Sequence, residues 1–261
     1  QTICLGQIAS LTASASSSYQ WSEGSTSPSI NVSPPASALY SLTVTSSNGC
    51  TASDDVSVTV NPLPNANAGS DQSICFGQSA SLTAIGGSSY IWSNGSNTSA
   101  IIVTPFSSLN YSVTVSNVFG CTSNDEVTVY VNTLPAANAG VDQTICRGES
   151  NVLTASGGTS FLWSTGANIA VINVNPIVTS TYTVTVTNSN GCSEDDDVIV
   201  NVNPVPTASA GPDQTICEGN QATLSGSGGS IFQWSTGPNT SSITVQPLVT
   251  ISYFLTVTNN Y

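Results

Sequence analysis

A period of 71 residues runs through this chain from end to end without slipping. Cysteines stand at positions 4, 50, 75, 121, 146, 192 and 217, and the gaps between them alternate between 46 and 25 residues. The same period carries Trp21, Trp92, Trp163 and Trp234, the tyrosines Tyr40, Tyr111, Tyr182 and Tyr253, and the prolines Pro34, Pro105, Pro176 and Pro247. Self-similarity at a fixed period marks a repeat architecture in which each period is one structural module. The chain is therefore constrained to four copies of a small module rather than one large domain.

Proline sets the phase. Asn61-Pro62-Leu63-Pro64, Thr133-Leu134-Pro135 and Asn203-Pro204-Val205-Pro206 recur one period apart. Proline has no amide to donate and stiffens a connector, so these segments read as linkers. The predicted repeats are 1–64, 65–135, 136–206 and 207–261. The first lacks seven leading residues, because Gln1 aligns with Gln72, and the fourth stops ahead of its Gly-Cys. Both ends cut through a repeat, which predicts a longer periodic protein.

Within repeat 3, residues 151–156, 160–165, 170–176, 181–188 and 196–202 read as strands, with turn signals at Gly157-Gly158 and Asn190-Gly191. The Thr-Val alternation of 181–188 gives each strand one buried and one solvated face. Short strands with turns every eight to twelve residues or so, and no helical period, predict an all-β fold. The expectation is a tandem array of four small antiparallel immunoglobulin-like β-sandwiches. The four tryptophans and four tyrosines recur at equivalent positions and are assigned to the cores.

Composition excludes much chemistry. Fourteen acidic side chains face one basic one, Arg147, and there is no His, giving a formal charge of −13. One cation cannot neutralise a phosphate backbone, so nucleic-acid binding is excluded. Without His there is no Ser-His-Asp or Cys-His site, and without Lys no Schiff base. No apolar run approaches the roughly 18 residues of a membrane helix. A catalytic site should also be unique, whereas every feature here recurs. We expect no enzyme, no cofactor and no membrane insertion.

Residues 66–96 (ANAGSDQSICFGQSASLTAIGGSSYIWSNGS) and 179–206 (TSTYTVTVTNSNGCSEDDDVIVNVNPVP) resemble the PKD-like, immunoglobulin-like repeats of Bacteroidota surface proteins. That resemblance implies secreted or cell-surface adhesins exported by type IX secretion, some linked to gliding motility. The repeats lack the aspartate-rich loop and Gly-Asp-Gly of many PKD domains.

Periodic cysteines without metal-type spacing point to disulfides in an oxidising compartment. The simplest pairing lies within each repeat: Cys4–Cys50, Cys75–Cys121 and Cys146–Cys192, with the partner of Cys217 beyond the chain. Against it, the two cysteines of a repeat flank turns at opposite poles of a simple sandwich, roughly 25–30 Å apart by strand rise. The rival pairing joins the first cysteine of one repeat to the second of the next, as Cys4–Cys121 and Cys75–Cys192.

Acidic residues recur in two places. Asp71, Asp142 and Asp213 follow the linkers, and Asp54-Asp55, Asp125-Glu126 and Glu194-Asp195-Asp196-Asp197 follow the Gly-Cys. Such carboxylates could hold Ca²⁺, which takes six to eight oxygens, best at Asp195, Asp196 and Asp197 with Asp142 and Asp213. The alternative is solvated turn residues. The function expected is a structural one: the repeat region of an extracellular filament or adhesin, with self-association or contacts to surface glycans or proteins. The alternative is a carbohydrate-binding or spacer array of a secreted hydrolase, which predicts one repeat with distinctive exposed aromatics. Phe106, Phe119, Phe161 and Phe232 are scattered and single out no such repeat.

Overall fold

The computed structural model describes residues 1–260. Every regular element among them is a β-strand, and the strands recur with the 71-residue period. Repeat 2 runs Gln72–Cys75, Ala80–Thr83, Ser89–Trp92, Ala100–Val103, Leu109–Ser116 and Thr122–Asn132. Repeat 3 runs Gln143–Cys146, Asn151–Thr154, Ser160–Trp163, Val171–Val174, Ser180–Thr187 and Ser193–Asn203. The chain divides into two compact units, Gln1–Thr133 and Leu134–Tyr261, each carrying two repeats.

In repeats 1 to 3 the first, sixth, fifth and third strands form a four-stranded sheet, in that order, and the second and fourth form a two-stranded one. A bridge from Asn67 to Ile85, and its equivalents at Asn138 and Ser209, attaches the segment after each linker to the smaller sheet. The chain therefore crosses from one sheet to the other before its first strand, which is the immunoglobulin-like arrangement of a two-sheet sandwich. One detail departs from an all-antiparallel sandwich. The first strand runs parallel to the sixth, Gln72 opposite Val129 and Cys75 opposite Asn132. In repeat 4 residues 214–217 form no strand.

The cores form where inward faces meet. All four tryptophans are buried, and each indole N–H donates to a carbonyl six residues on: Ser27, Thr98, Ile169 and Thr240. A buried indole thus keeps its polar atom satisfied while its rings fill the sandwich. Around Trp92 pack Leu82, Val113, Val115, Val127 and Val129, all essentially without solvent contact. Tyr111 is buried among them, whereas Tyr40 and Tyr182 are half-buried against their cores.

A recurring glycine shows how locally the fold depends on the crossing segment. A Cβ on Gly86 would lie 1.8 Å from the Asn65 carbonyl oxygen, and Gly157 and Gly228 stand equally close to Ala136 and Thr207. All three have positive φ. The matching position of repeat 1 is Ala15, whose φ is not positive. We therefore expect Gly86→Ala to destabilise unit 1 by about 2 kcal/mol or more, since strain and backbone overlap add. Ala15→Gly should cost no more than about 1 kcal/mol, the added backbone freedom of the unfolded chain. Chemical denaturation of both variants checks this.

Candidate functional site at the joint between repeats 1 and 2

The sixth strand controls where the cysteines stand. Thr122–Asn132 is an 11-residue strand, with Cys121 just before its first residue and Cys75 paired with its last. At a rise of about 3.3 Å per residue, the two cysteines of repeat 2 lie some 35 Å apart. Cys4 likewise pairs with Asn61, at the far end of its repeat from Cys50. A disulfide needs Cα atoms within about 7 Å, so no repeat can close its own pair.

The within-repeat pairing is therefore wrong. Cys4 is bonded to Cys121, with a Cα–Cα distance of 5.6 Å across 117 residues of sequence. That bond leaves the far pole of repeat 1 and enters the near pole of repeat 2. Cys75 and Cys192 are each disulfide-bonded as well. Cys50, Cys146 and Cys217 carry free, exposed thiols.

Local hydrogen bonds hold each partner ready. The amide of Cys4 donates to Gln7 Oε1, closing the turn that follows it, and Cys75 and Cys146 do the same with Gln78 and Glu149. Cys121 sits on a turn whose Asn117 Oδ1 accepts from the amides of both Phe119 and Cys121. The Asn117 Nδ2 donates across the joint to the Pro62 carbonyl at 2.8 Å. Proline linker, side-chain clamp and disulfide thus meet at one joint, and Cys121 is almost wholly buried in it.

The acidic residues serve the fold. Asp125 Oδ2 accepts from the Ala68 amide and Asp196 Oδ2 from the Ala139 amide, each at 2.8 Å across 57 residues. Asp71 Oδ1 accepts from Thr128, and Asp142 Oδ1 from Ile199. Each of repeats 2 and 3 therefore uses two carboxylates to tie the crossing segment and first strand to the sixth strand. The expected calcium set does not assemble. Strand alternation turns Asp195 and Asp197 to the face opposite Asp196, and Asp196 and Asp142 are bonded to amides. Among the described residues no three acidic or cysteine side chains are grouped to hold a metal. In repeat 1 Asp54 Oδ1 accepts from the Asp55 amide.

Sequence reading missed one surface feature. Phe76 and Phe106, both exposed, bring their rings to 6.1 Å in repeat 2. They are 30 positions apart, and the equivalents of Phe76 are Leu5, Arg147 and Glu218. Neither ring belongs to the period, so periodicity could not reveal the pair.

No family model matches the chain, and no curated protein matches it. Solved structures that resemble it are tandem immunoglobulin domains. The eight N-terminal Ig domains of Down Syndrome Cell Adhesion Molecule match at 16% identity and a TM-score of 0.33, covering all of this chain and 53% of theirs. The titin I-band fragment I67–I69 matches at 10% identity and a TM-score of 0.37, covering 78% of this chain and 95% of that one. This chain thus spans about half the length of the first of these. At such values the likeness adds nothing to the strand order already described.

Two outcomes follow from the joint. Cleaving the chain between Pro64 and Asn65 leaves the fragments linked through Cys4–Cys121, and mass spectrometry finds them separate only after reduction; separation without reductant contradicts the pairing. Asp196→Ala removes a charged acceptor from the buried Ala139 amide and lowers stability by about 1–3 kcal/mol. Asp54→Ala, at the same repeat position, is close to neutral in the same denaturation assay.

Proposed function

We propose that this chain is the structural repeat region of an extracellular bacterial surface filament or adhesin, working as a rod or stalk. The observation that carries the reading is a disulfide that joins neighbouring repeats instead of closing one. Disulfides suit an oxidising, extracytoplasmic compartment. The likeness of residues 66–96 and 179–206 to Bacteroidota surface repeats supports that lineage and type IX export. The composition supports a passive role: no His, one cation, and carboxylates bound to the backbone.

The mechanism is reach under load. Tension reaching Cys4 from its N-terminal side crosses directly to Cys121. Everything between them, most of both repeats in unit 1, is bypassed by a covalent link. Were those repeats to unfold, the bypassed segment could add nothing to the length. A stalk built this way keeps its reach when a module gives way.

The alternative, a carbohydrate-binding or spacer array of a secreted hydrolase, has one observation in its favour, the exposed Phe76–Phe106 pair in a single repeat. Retention of the chain on insoluble polysaccharide, abolished by Phe106→Ala, would move the assignment to it.

Single-molecule pulling of the whole chain by its ends tests the main reading. The 117 residues spanned by Cys4–Cys121 amount to about 400 Å of extended chain at ~3.4 Å per residue. Under non-reducing conditions the full extension should fall short of the reduced value by at least about this length. Equal extensions in the two conditions would refute the load-bearing role.

A further inference from the structure

Cys4 takes a partner 117 residues away although Cys50 lies closer along the chain. In the unfolded chain the cost of loop closure grows with loop length, which favours the nearer cysteine. Folding removes that rival by setting Cys50 at the opposite pole of repeat 1, but it must also hold two separately built poles together. Asn117 has the contacts to do so. Its Oδ1 accepts from the amides of Phe119 and Cys121, at 3.0 and 3.1 Å, and shapes the turn that carries Cys121. Its Nδ2 donates to the Pro62 carbonyl of repeat 1 at 2.8 Å. Pro62 follows Asn61, the residue paired with Cys4. One side chain thus fixes the turn of one cysteine and ties it to the strand end beside the other.

The equivalent turns set this residue in relief. In repeat 3 Asn188 Oδ1 accepts from the Asn190 and Cys192 amides in the same way. Repeat 1 has Ser46, whose Oγ accepts from the Cys50 amide. A hydroxyl can close the turn, but it lacks the separate NH₂ arm that an asparagine extends across a joint. The two sulfurs also differ in access. Cys121 is 1% exposed, whereas Cys4 is half-buried.

We propose that Asn117 is the positioning residue for the Cys4–Cys121 disulfide, holding Cys121 beside Cys4 before the bond exists and so fixing which cysteine Cys4 takes. A small disulfide oxidant such as oxidised glutathione reaches Cys4, the more accessible sulfur. The Cys4 thiolate attacks one glutathione sulfur and releases a glutathione thiolate. The Cys121 thiolate then attacks the Cys4 sulfur of the mixed disulfide and releases the second glutathione. Two electrons pass from the cysteine pair to the oxidant, and the two cysteine protons end on the two glutathiones. The second attack is intramolecular, so it gains from a partner already held in reach. The inference rests on the disulfide that carries the structural reading but not on load-bearing. Equal extensions in the pulling experiment would leave it standing, and its own failure would leave that reading untouched.

Thiol–disulfide equilibrium of the full chain in glutathione buffers tests this, with Cys50, Cys146 and Cys217 replaced by Ser so that free thiols cannot interfere. Peptide mass spectrometry reads the Cys4–Cys121 link against Cys4 carrying glutathione. Asn117→Asp keeps the turn acceptor and replaces the Nδ2 donor with an oxygen. It should lower the effective concentration of the pair roughly two- to tenfold, the net worth of one hydrogen bond. Asn117→Ser, which copies the turn of repeat 1, should lower it comparably. Asn110→Ser, exposed on the same repeat, should match the parent. In denaturing urea all four chains should be alike, because the contact belongs to the folded joint, and the reduced chains should share one tryptophan emission. Parent-like equilibria in both Asn117 variants overturn the proposal. So does an equal loss in Asn110→Ser, a loss that persists in urea, or a loss accompanied by red-shifted emission, which would make Asn117 a residue of the fold alone.

Discussion

An 11-residue final strand holds the two cysteines of a repeat at opposite poles of its sandwich, and much else in the array depends on that separation. With about 35 Å between them, the cysteines cannot meet inside the module. Each can reach only a neighbour. The same strand receives the first strand along its far half and, in repeats 2 and 3, offers the aspartate that anchors the crossing segment near its start. It is therefore both the ruler that sets the cysteine spacing and the frame on which the entering chain is laid down.

The few polar groups placed inside these modules are used economically. Each indole N–H finds a carbonyl, and Asp125 and Asp196 find amides that would otherwise be stranded beside the core. A buried donor left without an acceptor costs on the order of 1–3 kcal/mol, a large share of the stability of a small domain.

Periodicity made the module, its strands and its tryptophans legible, because recurrence at 71 residues and alternation within strands are both one-dimensional signals. Cysteine pairing was not legible in that way. A constant period is compatible with pairs inside a repeat or between repeats, and only the length of the last strand, with the parallel pairing of the first against it, separates the two. The acids illustrate a related limit. Asp195, Asp196 and Asp197 adjoin in sequence and read as a cluster, yet a strand sends alternate side chains to opposite faces. The Phe76–Phe106 pair was hidden because it breaks the period.

Each repeat is held by its own core, while the disulfide holds repeats to one another. Tryptophan emission measured with and without reductant tests this division most directly, since Trp21, Trp92, Trp163 and Trp234 report one core each. The same blue-shifted emission is expected in both conditions, with only the covalent link between repeats 1 and 2 lost. A red shift on reduction, to the emission of solvated indole, would show that the disulfides hold the modules themselves together and would contradict it.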